Sequence, residues 1–422
     1  MIKKILLKIK SNRTLLNGSL FSLYSFFGQG VSFVLLIILA KYIMPNEYGY
    51  LSLFTTLTTV LGLFFGFSSS GYLSVVYFKE TRQEFNRDFS SIVVLEILTA
   101  AIYFFILLMF GQYLSNLLDL PLDILYMGGL IVFSNKFFGM QQNLYRLNEN
   151  LKLYGILSCG NAILNFLSAI FFVVYLDLNW IGRIYSMVAY SIIFGIIAIC
   201  FFIKEDYFNF TNLKNRFYPI LLWSIPLIPH LATNWIKQGL DRYIINYHYS
   251  TYEVGIFSFA MNLTSIILSV GVAFNNSNSV ALFKMLSTNE SSENKRKALN
   301  RSTKEFLLIY VVISIMVILS GTLLTPLIFP KYSLSVPYFI ILGIYGFLQC
   351  VYLLYCNYFF YYKRTKNLMY ITFWSAIMHL VLSLLFTRYS LYCTAFIYLI
   401  SMAIVDYFVF KSSKKMLMAN LK

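Results

Sequence analysis

Apolar residues fill the chain in long blocks, and short stretches carrying charge, proline or asparagine separate them. A helix needs about 20 such residues to cross the hydrocarbon of a bilayer. Twelve blocks approach or exceed that length, at residues 15–43, 48–78, 89–110, 121–144, 151–176, 180–203, 218–246, 254–283, 306–329, 334–362, 368–386 and 391–410. The pattern predicts an all-α polytopic membrane protein with about twelve transmembrane helices.

The basic residues orient these segments. Most of the 33 lysines and arginines fall in the two tails and in the even-numbered gaps, while the odd-numbered gaps hold only Lys41, Lys331 and Arg388. Positive charge stays on the cytoplasmic side, so both termini are expected there. Residues 2–10 set Ile2, Ile5, Leu6 and Ile9 against lysines, as a short helix lying in the interface would.

Composition agrees. The chain is 59% apolar and 12% charged, against roughly 45–50% and 25% in soluble domains, which excludes a soluble enzyme. The net charge of +16 reads as topology plus attraction to anionic membrane lipid, not as nucleic-acid binding. Five cysteines lie inside apolar blocks without metal-type spacing.

The halves match at an offset of 206 residues: Glu47-Tyr48-Gly49-Tyr50-Leu51-Ser52 falls on Glu253-Val254-Gly255-Ile256-Phe257-Ser258, and Ser68-Ser69-Ser70-Gly71 falls near Asn275-Asn276-Ser277-Asn278. The expected division is therefore an N-terminal lobe of six helices over 1–213 and a C-terminal one over 214–422. Parallel repeats of this kind typify transporters, whose site lies between the halves.

Catalytic signatures are missing: there is no phosphate-binding loop, no His-Glu-x-x-His and no Cys/His cluster. No enzyme activity, metal or cofactor is expected. What remains is charge at depth, which costs at least about 2.5–3.5 kcal/mol per group at the bilayer centre and calls for a partner or a cavity. The seventh segment is richest, with Pro226, Pro229, His230, Asn234, Lys237, Gln238, Asp241 and Arg242. The prolines should kink it. Lys237 and Asp241, four apart, are placed to pair, leaving Arg242 as surplus cation. This set is either a self-contained ion pair with an arginine reaching headgroups or an electropositive wall for an anion. Lys136 must pair with another helix or face a wet cavity, and the cavity is the preferred reading. Arg183 should snorkel to the interface, Glu96 and Asp406 are candidate partners or proton sites, and Gly62-x-x-x-Gly66 suggests close helix packing.

Residues 40–50 (AKYIMPNEYGY), the run Trp223-Ser224-Ile225-Pro226-Leu227-Ile228-Pro229-His230, and the pieces Asp241-Arg242-Tyr243 and Glu253-Val254-Gly255 resemble O-antigen and capsule repeat-unit flippases of the Wzx type, in the multidrug/oligosaccharidyl-lipid/polysaccharide exporter superfamily. The resemblance implies two six-helix lobes around a central cavity. It also implies carriage of undecaprenyl-diphosphate-linked glycan across the bacterial inner membrane by alternating access, beside other membrane proteins of polysaccharide assembly. Lys136, His230, Asn234, Lys237, Asp241 and Arg242 are the expected substrate-binding residues. A membrane polymerase or glycosyltransferase is disfavoured because no odd-numbered gap exceeds about a dozen residues. A drug/cation antiporter of the same fold would want acidic residues in the cavity, and a lipid II flippase would be expected to be longer.

Overall fold

The computed structural model describes residues 13–288 and 291–420, and every regular element in them is helical. The interfacial helix expected over 2–10 lies outside the described residues. Nine helices among them are long and apolar enough to span a membrane, and a shorter apolar stretch covers Phe26–Tyr42. Two expected segments fall short of an unbroken apolar span for visible reasons. The fourth carries Ser134, Asn135, Lys136, Gln141, Gln142 and Asn143 within one helix, and the seventh is broken into pieces.

The chain divides into two compact units: residues up to Met44 with Leu53–Ala232, and Pro45–Ser52 with Thr233–Lys422. The division falls inside the seventh segment, beyond the 213/214 boundary that the repeat suggests. It falls there because α8 (Leu213–Ser224) packs within the first unit, where Ile220 is buried in an apolar cluster and Trp223 meets Tyr72 edge-on at 5.7 Å. A short 3₁₀ turn at Ile225–Leu227 follows, with Pro226 in its first turn, and then α9 (Ile228–Gln238) and α10 (Leu240–His248). The two prolines thus sit where a missing N–H does least harm, at helix starts, and bend the segment as expected.

In the first unit, α1 (Arg13–Tyr42) is followed by α2 (Pro45–Phe64), which enters from the second unit's Pro45–Ser52. α2 then breaks at Phe65–Gly71 and resumes as α3 (Tyr72–Val76). Gly66, Phe67 and Ser68 take positive φ of 58°, 49° and 57°, a left-handed conformation that only glycine adopts without cost. α4 (Arg82–Leu118) starts on a capping box between Thr81 and Glu84. α5 (Leu122–Leu147), α6 (Leu151–Ala169, extended by a π turn over Ile170–Tyr175) and α7 (Asn179–Lys204) complete the unit. Their core joins Phe85, Phe89, Phe137, Met140, Leu144 and Phe202. Gly62, by contrast, faces open space, so Gly62-x-x-x-Gly66 is no helix-packing motif. Arg183 does not snorkel: it turns inward and donates to Asn165 Oδ1 at 2.6 Å.

The second unit holds α11 (Thr251–Ser287), α12 (Ser292–Ile328), a 3₁₀ stretch at Pro330–Ser335, α13 (Val336–Tyr361), α14 (Thr365–Phe386) and α15 (Leu391–Asn420). The polar stretch near Asn275 does not break α11 as its counterpart breaks α2; there Asn357 of α13 donates to Asn275 Oδ1 at 2.8 Å.

The two matched hexapeptides meet in this unit. A Cβ on Gly49 would lie 1.8 Å from the Thr251 carbonyl oxygen, and one on Gly255 would lie 1.7 Å from that of Pro45. Thr251 is the repeat equivalent of Pro45, so the contact is reciprocal. Ser52 and Ser258, equivalents of each other, share a buried hydroxyl hydrogen bond at 2.7 Å. Around them Asn262 donates to the Tyr48 hydroxyl at 2.7 Å, and Tyr332 stacks on Phe259 at 4.3 Å.

A side chain at either glycine must push backbone apart, which costs roughly 1–3 kcal/mol where the surroundings give. In a background lacking the native cysteines, Ser52→Cys with Ser258→Cys should form a disulfide under mild oxidation. Adding Gly49→Ala should cut its yield several-fold, read by mass spectrometry of alkylated protein. Equal yields with and without Gly49→Ala would show that the glycines do not set the approach.

Candidate functional site

Polar groups at depth collect in two places, one in each unit. In the first, the break in the second segment leaves backbone groups without helical partners, and in hydrocarbon these must be answered from within the protein. Lys136 of α5 donates to the Phe65 carbonyl at 2.8 Å, and Thr99 Oγ1 of α4 accepts from Gly66 N–H at 2.8 Å. Glu96, fully buried on α4, lies 3.7 Å from the Lys136 ammonium. Its carboxylate occupies the place a Cβ on residue 66 would take, within 2.2 Å of it. Glycine at 66 therefore serves twice, allowing both the left-handed turn and the approach of the acid. Lys136 is thus a paired lysine that fastens a broken helix, not a lysine facing an open cavity, and Glu96 is the partner foreseen for it.

In the second unit the expected Lys237–Asp241 pair does not form. Asp241 is fully buried and meets His379 Nε2 of α14 at 2.8 Å. Lys237 instead donates to Ser375 Oγ, one turn from His379 on the same helix, at 3.1 Å. The chain is interrupted at Gly239 between the two residues, so they no longer share one continuous helical face. Arg242 donates to the Ser52 carbonyl at 3.5 Å, with Tyr48, Tyr243 and Tyr398 around it. The side chains of His230 and Asn234 lie outside the described residues. The structure therefore gathers Lys237, Asp241 and Arg242 in one unit and sets Lys136 in the other.

Sequence reasoning did not single out Ser375, Tyr398 and Ser401, which complete the polar network around His379. The signal available was Ser375-x-x-x-His379, two polar residues on one face of an apolar helix. A second missed cluster is Arg216, whose guanidinium reaches Glu80 at 3.3 Å, Glu84 at 3.7 Å and Asp88 at 3.4 Å. Glu84 and Asp88 stand one turn apart on α4, with Glu80 just ahead of its cap, an acidic run legible in the sequence. Among the described residues no three His, Cys, Asp or Glu side chains gather as metal ligands would.

Removing one partner of a buried ion pair costs about 3–5 kcal/mol, because the other is left uncompensated. Lys136→Ala should therefore lower the melting temperature of the detergent-solubilised protein markedly. Lys136→Met with Glu96→Leu should recover most of the loss. An unchanged melting temperature in Lys136→Ala would return this lysine to the role of a solvated binding group.

Comparison with known proteins sets these observations in a family. Residues 15–289 match the family model described as polysaccharide biosynthesis protein. The Lsg locus putative protein 1 of Haemophilus influenzae is 26% identical over 163 residues, which span 38% of this chain and 39% of that protein. An uncharacterized membrane protein of the same organism is 21% identical over 83% of this chain and 84% of its own length. Among solved structures, a lipid II flippase, MurJ, in an inward closed conformation superposes with a TM-score of 0.75 at 16% identity, covering 95% of this chain and 90% of that one. An inward-facing multidrug resistance MATE family transporter of the MOP superfamily gives 0.71 at 13% identity, covering 92% and 94%. At these identities the structures establish the fold, a multi-pass helical membrane architecture. The match to the family model covers well over half of the sequence: the chain belongs to the polysaccharide biosynthesis protein family.

Proposed function

We propose that this protein is a flippase that moves undecaprenyl-diphosphate-linked oligosaccharide repeat units across the bacterial inner membrane for O-antigen or capsule assembly. It would have two six-helix lobes around a central cavity and both termini in the cytoplasm. The observation that carries this reading is the place of Arg242: a cation on a broken, basic segment donates into the contact between the two repeat openings. By the charge bias that contact lies at the outer face. A diphosphate entering from the cytoplasmic leaflet is a stronger acceptor for a guanidinium than a backbone carbonyl is, since charge-assisted hydrogen bonds are roughly twice as strong. It would draw Arg242 from Ser52 and loosen the outer contact in the same step. Lys237, with His230 and Asn234 from the same stretch of sequence, would complete the proposed headgroup site. Asp241, buried against His379, would orient this segment and not touch the substrate. Lys136 would hold the broken helix in shape.

No nucleotide is needed to drive export. An inside-negative potential favours outward movement of an anion by about 2.3 kcal/mol per charge per 100 mV, so two phosphate charges crossing the whole field gain roughly 4–5 kcal/mol. The length argument against a lipid II carrier does not hold, since this chain covers 90% of the MurJ chain. The glycan and its lipid are therefore identified by experiment and not by size.

Deleting the gene should abolish surface polysaccharide and leave single lipid-linked repeat units on the cytoplasmic leaflet. Complementation with Lys237→Ala plus Arg242→Ala should restore surface glycan at least tenfold less well than wild type at equal membrane abundance. Units accumulating on the outer leaflet would point to a polymerase, and intact glycan with altered drug sensitivity to an antiporter; either would overturn the proposal.

A further inference from the structure

A cleft of about 540 Å³ opens between α12, α13 and α15 of the second unit, a size within the range of ligand sites, roughly 300–1,000 Å³. By the charge bias of the chain this end faces the cytoplasm. α12 turns Arg296, Asn300 and Thr303 toward the cleft, and α15 turns Phe410, Lys414 and Leu417, each set at the spacing of one helical face. Tyr355 and Tyr358 of α13 close the back. The floor continues an apolar cluster in which Leu282, Leu286, Leu299 and Tyr358 are buried and against which Tyr355 and Leu417 pack. Phe410 closes the last apolar block of the sequence and Tyr355 lies inside the block at 334–362, so this floor sits at the edge of the hydrocarbon. Lys414 stands one turn beyond that edge. Along α12 the wall rises from Thr303 to Ser292 by about 16 Å, at 1.5 Å per residue.

The walls are cationic. Arg296 and Lys414 come from different helices onto one cleft, and among the described residues neither has a carboxylate within ion-pair distance. Glu293, the acid on the rim, is taken by Lys297 at 2.6 Å. Like charges on facing walls repel, and an anion between them turns that repulsion into attraction. Thr303 and Ser413 give their hydroxyl hydrogens to the Leu299 and Phe410 carbonyls, at 2.9 and 2.8 Å. Ser292 and Asn300 are therefore the neutral donors on the wall. A soluble phosphate would meet the cations but leave the apolar floor uncovered. A zwitterionic lipid would cover the floor but bring its own ammonium to the cations. A lipid with a net negative headgroup satisfies both.

We propose that this cleft is a binding site for one anionic phospholipid of the cytoplasmic leaflet. Its phosphate lies at Lys414, its headgroup rises along Asn300 toward Arg296, and an acyl chain covers Tyr355, Phe410 and Leu417. The bound anion ties the start of α12 to the end of α15. Such a site is placed and stoichiometric, unlike the diffuse attraction that a net charge of +16 exerts on any anionic surface. It does not depend on what the protein carries.

The test titrates the full chain, purified in detergent, with phosphatidylglycerol or phosphatidylcholine and counts bound lipids by native mass spectrometry. One phosphatidylglycerol should bind at least tenfold more tightly than phosphatidylcholine. Arg296→Gln with Lys414→Gln should weaken phosphatidylglycerol binding at least tenfold. Lys204→Gln with Lys214→Gln, which removes the same charge from the first unit, should leave it within about twofold. All four side chains are exposed, so these variants report binding and not folding. A phosphatidylglycerol with a photoactivatable acyl chain should label peptides carrying Tyr355, Phe410 or Leu417 in the wild type. Equal weakening in the two double variants would reduce the site to general surface charge. Displacement by millimolar inorganic phosphate would make it a site for soluble phosphate, and labelling confined to other helices would place the lipid elsewhere. Each of these results would overturn the proposal.

Discussion

Hydrocarbon supplies no hydrogen bonds, so a helix that stops inside it has to find donors and acceptors in its neighbours. That constraint explains most of the polar chemistry in this protein. The left-handed turn after α2 frees the Phe65 carbonyl and the Gly66 amide, and α5 and α4 answer with Lys136 and Thr99. Tyr249, just past the end of α10, is likewise tied by its hydroxyl to the Thr387 carbonyl beyond α14, at 2.8 Å. Where the equivalent polar run does not break its helix, near Asn275, the side chain itself is answered by an amide from α13.

The same medium decides how charges are used. Lys136 and Glu96 face one another at the break, and Asp241 meets the imidazole of His379. Arg242 is different in kind. It donates to the Ser52 carbonyl, with Tyr48, Tyr243 and Tyr398 around it.

The helical, membrane-spanning class was legible from the apolar blocks, and the reciprocal contact was foreshadowed by Glu47–Ser52 falling on Glu253–Ser258. The proline bend was legible too, since a missing N–H acts locally. What could not be read was pairing across helices. Lys237 and Asp241 stand four apart and would share a face of an unbroken helix, yet the interruption at Gly239 and the nearness of His379 redirect both. Lys136 announces itself as a deep cation, and the sequence offered Glu96 and Asp406 alike as partners; only the packing of α4 against α5 chooses Glu96. The left-handed turn at Gly66 was invisible for a similar reason: a glycine in an apolar run reads as a packing residue until the neighbour pressing against it is known.

Ser52 touching Ser258 means that one position of the repeat touches its own copy, as a residue on the two-fold axis of a homodimer does. In such a dimer a single substitution alters both sides of the interface at once. Joined in one polypeptide, the two sides can differ: Tyr48 stands opposite Val254, Tyr50 opposite Ile256, and Leu51 opposite Phe257. Glu, Gly and Ser alone are shared within the hexapeptide, and of these Gly and Ser are the residues whose size and hydroxyl the contact itself requires. The contact thus keeps the same small residues and hydroxyls on both sides, as a homodimer's axis would require.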